Sequence, residues 1–119
     1  MIGWLGTTTI YLATAPTDLR KAFDGLAALV RQDLGQDPLS GSLYVFCNRR
    51  RDRIKILVWE SSGFWLLIKR LEVGTFRWPA SDAASARYNR EELALLLGGI
   101  DLAGTRRRKW YQRNLSAEK

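Results

Sequence analysis

The side chains with the most to say about chemistry are cationic and clustered. Arg49-Arg50-Arg51-Asp52 sets three like charges in a row between two apolar runs, and Arg106-Arg107-Arg108-Lys109 sets four more ahead of Trp110-Tyr111. Adjacent like charges repel and add nothing to folding unless they meet an anion. The nucleic-acid backbone is a repeating anion that suits such runs, and aromatic rings beside cations can stack on bases. Over the whole chain Lys and Arg outnumber Asp and Glu by 19 to 12, a formal charge of +7. This balance favours nucleic acid or an anionic membrane as partner, with a solubilising tail as the plain alternative for the C-terminal run.

The anionic and nucleophilic groups are less promising. The chain has no histidine and a single cysteine, Cys47. That excludes Cys/His zinc sites, imidazole acid–base catalysis, His-activated nucleophiles and any intrachain disulfide. Carboxylates remain, and a metal-dependent nuclease needs several of them converging on one point. Asp18 and Asp24 fall on an expected helix, about a third of a turn off one another's face. Asp52 and Glu60 lie at opposite ends of one expected strand, while Asp82, Glu91 and Glu92 flank a loop and a helix start. No Gly-rich phosphate loop of the required spacing is present. A binding protein with no catalytic residue, cofactor or metal is the expectation.

The elements that must position these groups read as one α+β domain over residues 1–103, followed by a basic, flexible arm over 104–119. At 119 residues, 46% apolar and 11% aromatic, the chain is long enough for one real core. It has neither a basic leader nor an apolar run of spanning length, so a cytoplasmic, nucleoid-associated protein without membrane contact is expected. Segments 43–48, 53–60 and 64–71 are rich in branched and aromatic residues, and a short fourth strand at 75–78 follows. Together with a weakly alternating edge strand at 7–13 they predict a four- or five-stranded antiparallel meander sheet.

Turn lengths set the expected register. A four-residue loop at 49–52 puts Val45 opposite Ile56, and a three-residue loop, Ser61-Ser62-Gly63, puts Ile56 opposite Ile68 and Lys55 opposite Lys69. One face then gathers Leu43, Val45, Cys47, Ile54, Ile56, Val58, Phe64, Leu66 and Ile68 as the core face. The other gathers Tyr44, Phe46, Leu57, Trp59, Trp65 and Leu67 beside Arg53, Lys55, Lys69 and Arg77, while Trp78 projects to the core. Two lysines opposed across a ladder cost from a few tenths to roughly 1 kcal/mol, so such a face looks made for phosphate.

Helices flank the sheet. Thr17 offers an N-cap, Asp18 suits the positive end of a helix dipole, and Leu19, Ala22, Phe23, Leu26, Leu29, Val30 and Leu34 recur at helical spacing before Gly35. This predicts one long amphipathic helix, with 22–34 packed on the core face and Arg20 paired to Asp24. Gly25 inside it costs roughly 1 kcal/mol relative to Ala, which a close helix-to-sheet approach would explain. Residues 80–87 read as a loop. Asn89 and Glu92 have capping-box spacing for a short C-terminal helix, closed by Gly98-Gly99. Its leucines, Leu93, Leu95, Leu96 and Leu97, wrap too much of its girth for one contact, so part should face a partner or a second copy.

Several of these stretches also occur together in one known family. Asp18-Leu19-Arg20-Lys21-Ala22-Phe23-Asp24-Gly25-Leu26, then Asp37-Pro38-Leu39-Ser40-Gly41, Leu43-Tyr44-Val45-Phe46, Asn48-Arg49-Arg50-Arg51-Asp52-Arg53-Ile54-Lys55, Lys69-Arg70-Leu71-Glu72 and Phe76-Arg77-Trp78-Pro79 resemble the small TnpB accessory protein of bacterial insertion sequences of class sixty-six. It is not the large RNA-guided nuclease that shares the name. The resemblance implies a companion to a separate, larger transposase, needed for efficient transposition, and it carries over no catalytic residues. With the charge map, it suggests a non-catalytic accessory factor that touches DNA phosphate through Arg49, Arg50, Arg51, Arg53, Lys55, Lys69 and Arg77, helped by Arg106, Arg107, Arg108 and Lys109. Phe46, Trp59, Trp65, Trp110 and Tyr111 would stack on bases or meet a partner. The alternative is an adaptor that docks on the transposase, or another element-encoded protein, through Trp59, Trp65 and the leucine-rich helix.

Overall fold

The computed structural model describes residues 9–99. In chain order these form β1 (Ile10–Ala13), α1 (Phe23–Gln32), β2 (Leu43–Cys47), β3 (Arg53–Glu60), β4 (Gly63–Arg70), β5 (Ser85–Tyr88) and α2 (Arg90–Gly98). The fold class is α+β with two helices, as expected. The sheet has the spatial order β4-β3-β2-β1-β5 and is mixed, because β1 runs parallel to β2 while the other neighbours are antiparallel. This corrects the meander. Parallel neighbours need a crossover rather than a hairpin, and α1 supplies it. β1 is accordingly interior, flanked by β2 and β5, and not an edge strand. Residues 75–78 make only an isolated bridge at Thr75, whereas the stretch read as a loop contains β5.

Each surface of the sheet carries a core. Ile10, Leu12, Leu43, Val45, Cys47, Ile54, Ile56 and Val58 form one core with Leu71, Phe76, Leu93 and Leu96, so α2 and the segment after β4 cover that face. Tyr44, Phe46 and Leu57 form the second core with Leu26, Ala27 and Val30 of α1. The long helix therefore lies on the face opposite the one expected. Nothing in the alternation of β2 distinguishes its two sides, since all five of its residues are buried.

The expected β2–β3 register holds, with Val45 opposite Ile56. The β3–β4 register is one residue away from expectation: Ile56 faces Leu67, Lys55 faces Ile68, and Lys69 faces Ile54. The cause is the turn. Ser61 adopts φ 53°, a conformation that tight primed hairpins require, so Gly63 already pairs with Glu60 and only two residues form the loop. One step of register turns every β4 side chain over. Phe64 and Leu66 thus pack beneath α1, and Leu67 joins the other core.

α1 begins later than its apolar spacing suggests. The Asp18 carboxylate accepts the Arg20 backbone N–H and holds the Arg20 guanidinium at 2.7 Å, so Asp18 closes a turn and the helix starts after Ala22, without a side-chain cap. Arg20 is thereby committed to Asp18 and not Asp24. A Cβ on Gly25 would meet Lys21 at 3.0 Å, so the glycine is not explained by the sheet. The capping box of α2 is present: Asn89 Oδ1 accepts from Glu92 N at 2.7 Å and Glu92 Oε1 accepts from Asn89 N at 2.8 Å.

Candidate nucleic-acid interface

The basic turn between β2 and β3 is built by Asn48. Its Oδ1 accepts the backbone N–H groups of Asp52 and Arg53, each at 3.1 Å, and its Nδ2 donates to Asp52 Oδ1 at 2.7 Å. Arg51 closes the turn with φ 63° and a backbone bond to Asn48 O. This leaves Arg49 and Arg50 exposed at the tip.

Arg51 goes the other way. Its guanidinium lies 5.5 Å from the centre of the Trp78 ring, and Nη1 is buried without a hydrogen-bond partner. Trp78 is fixed in turn by donating from Nε1 to Ala13 O at 2.8 Å, a packing role as expected. Burial pushes the neighbouring Cys47 thiol above its ordinary 9.0, and the opposing pull of Arg51 does not offset it. Cys47 is buried, and Arg51 is half-buried with its guanidinium turned toward Trp78 rather than to the tip.

Strand pairing then adds a cation that sequence reasoning passed over. Arg53 of β3 faces Arg70 of β4, and both are exposed. The Leu71 N–H bonds Asp52 O at 2.8 Å, which makes the next pair along, Arg53 with Arg70, a non-hydrogen-bonded one, where opposed side chains come closest. Arg70 is tied to Glu72 at 2.9 Å, a surface pair open to exchange. Among the described residues, Arg49, Arg50 and Arg53 have no carboxylate partner. The expected opposition of Lys55 and Lys69 has thus been replaced by one of Arg53 and Arg70. The signal was available in Lys69-Arg70, and only the turn length hid it.

The remaining expected contacts are spread. Lys55 shares the Arg53 face and donates from Nζ to Lys21 O at 3.0 Å. Lys69 lies on the other face and donates to Leu97 O, at the negative end of α2, at 2.8 Å. Arg77 is exposed and follows Phe76, whose N–H bonds Arg51 O, so it stays near the turn. Phe46 is only 1% exposed beneath α1 and cannot stack on a base. Trp59 is half-buried edge-on to Phe64, 5.1 Å between ring centres. Trp65 faces Val58 on the opposite side of the sheet, 53% exposed, and donates to Glu60 at 2.7 Å. Arg106, Arg107, Arg108, Lys109, Trp110 and Tyr111, like the whole expected arm, lie outside the described residues.

Beyond Trp78, which Arg51 of the turn covers, Arg77, Trp78, Pro79, Tyr88, Leu95 and Leu96 line an open groove of about 660 Å³. Leu95, 81% exposed, stands at its rim. Among the described residues no three His, Cys, Asp or Glu side chains gather as a metal site would need, and no helix is long and apolar enough to cross a membrane.

No solved structure matches this chain significantly. Two proteins of Sinorhizobium fredii (strain NBRC 101917 / NGR234) are similar along most of their length. Uncharacterized protein y4jC is 37% identical over 108 residues, covering 91% of this chain and 92% of that one. Uncharacterized protein y4hO is 36% identical over 92 residues, covering 77% and 80%. The family model described as IS66 Orf2 like protein matches residues 8–107. That span takes in every element of the sheet and both helices, so the chain belongs to the IS66 Orf2 like family and is a transposition-associated accessory protein.

Proposed function

We propose that the chain serves transposition without catalysing a step, by contacting DNA phosphate beside a separate transposase. The observation that carries this reading is the close pair of exposed arginines, Arg53 and Arg70, next to the exposed tip of Arg49 and Arg50. Four guanidiniums at one end of a sheet repel one another in water, and a phosphate backbone relieves that repulsion. Lys55 and Arg77 extend the same end. Such contacts position a protein on DNA without choosing a sequence.

A mobility-shift titration with terminal-repeat and unrelated DNA, with and without transposase and over a range of salt, tests this. Affinity is expected to fall linearly on a log–log plot against salt. Affinity indifferent to salt, or none for either DNA, would remove the reading.

The second reading is an adaptor for the transposase, favoured by Leu95 and the apolar groove beside it. Co-purification at high salt separates the two, since apolar docking survives salt that strips DNA.

A further inference from the structure

Among the described residues the sheet has one long edge with no neighbouring strand. Among the described residues β4 pairs only with β3, and its outer side meets no other strand. Edges are ordinarily blunted by charge, proline, bulges or brevity. β4 runs eight residues, and its first six, Gly63 to Ile68, carry no charge and no proline. Two large apolar side chains on it stand in the open, Trp65 at 53% and Ile68 at 63% exposure.

The hydrogen-bond phase identifies which backbone groups are unused. Leu71 and Asp52 form a hydrogen-bonded pair, so by alternation Gly63, Trp65, Leu67 and Lys69 point their N–H and C=O groups at β3. Phe64, Leu66, Ile68 and Arg70 point theirs outward.

We propose that this edge pairs with β4 of a second copy, antiparallel, across a two-fold axis through Leu67. A two-fold perpendicular to the sheet keeps like faces together, and only one such register uses all four outward residues of each copy. Phe64 bonds the partner's Arg70, and Leu66 bonds the partner's Ile68. The exposed Ile68 gains an apolar neighbour. Trp65 faces the partner's Lys69 in a non-hydrogen-bonded pair, where the side chains lie close and an ammonium can rest on the indole. That indole already donates to the Glu60 carboxylate at the end of β3, so the basic end of each β4 meets a carboxylate standing beside the start of the other, twice. Parallel pairing would instead align Lys69-Arg70 with its own copy. Charge complementarity therefore selects a second molecule in antiparallel orientation.

The test uses the full chain without DNA. Light scattering over a range of concentration is expected to show a dimer that Ile68→Pro reduces to a monomer. Proline there removes only an outward N–H and no bond to β3, and circular dichroism checks that the sheet survives. The double variant Trp65→Cys/Lys69→Cys should cross-link between copies under mild oxidation, and Trp65→Cys alone should not. Cys47 is buried and stays out of this chemistry. A monomer at every concentration, a dimer untouched by a folded Ile68→Pro, or equal cross-linking of single and double variants would overturn the pairing. The cross-link decides even where the proline variant does not fold.

Discussion

Arg49 and Arg51 sit two positions apart in one turn and have opposite fates. Arg49 projects into solvent, while Arg51 covers Trp78 with a partly orphaned guanidinium. Changing Arg49 and Arg50 to Ala should flatten the salt dependence of DNA affinity, by about 0.9 in log–log slope for each phosphate that is no longer neutralised. Arg51→Ala should leave that slope alone and cost about 1 kcal/mol of stability, because the guanidinium no longer packs over the indole or attracts its face. Both residues at position 51 would have to adopt the same positive φ, so backbone strain does not confound the comparison. Asp18 makes a different prediction. Its hydrogen bonds from Arg20 hold its carboxyl at about 2, below the ordinary 3.8. A carboxyl depressed on folding contributes stability that is fully present above about pH 4 and is lost as pH falls toward 2. Arg20→Gln should therefore lower the melting temperature at pH 5 and flatten its fall between pH 4 and 2, so that variant and parent converge near pH 2, as read by melting temperature from pH 2 to 5.

At the scale of elements, what the sequence displays and what it hides differ in kind. The capping box of α2 is written in two residues, Asn89 and Glu92, and both bonds form; Asn89→Ala should cost about 1 kcal/mol in chemical denaturation. The end of that helix depends on a contact that no local pattern reveals. Gly99 has φ 71°, and a Cβ there would lie 2.7 Å from Leu71 Cδ1. Gly99→Ala should cost about 1 to 3 kcal/mol, from the left-handed backbone and the overlap with a buried leucine. The strands β2, β3 and β4 were legible because branched and aromatic runs mark them. The turn type was not, since Ser61-Ser62-Gly63 admits both a two- and a three-residue loop, and Ser61 rather than the glycine takes the positive φ. That ambiguity alone moved Lys69 to the other face and brought Arg70 to Arg53. β5 escaped notice because Ser85-Ala86-Arg87-Tyr88 has little strand propensity and forms by pairing with β1. The burial of Phe46 was equally hidden, because a parallel crossover rather than a hairpin decides which face the first helix covers.

For the molecule as a whole, the two proposals meet on one face. Arg53, Lys55 and Arg70 share the α1 side of the sheet, and a two-fold perpendicular to the sheet keeps both copies' clusters on that side. Arg70 and the partner's Arg70 would be separated by six residue steps, roughly 20 Å along the strands. A duplex lying on this face would then touch two basic ends, and the second contact would form at high effective concentration. Ile68→Pro removes no cation, yet it should weaken DNA binding and bring the salt slope of the complex down toward half. Arg49→Ala/Arg50→Ala should flatten the slope while leaving the dimer intact. Comparing the two variants by mobility shift and light scattering on the same samples separates the causes. An Ile68→Pro monomer that kept the full slope would show that each copy holds DNA by itself, with the edge pairing serving some other end.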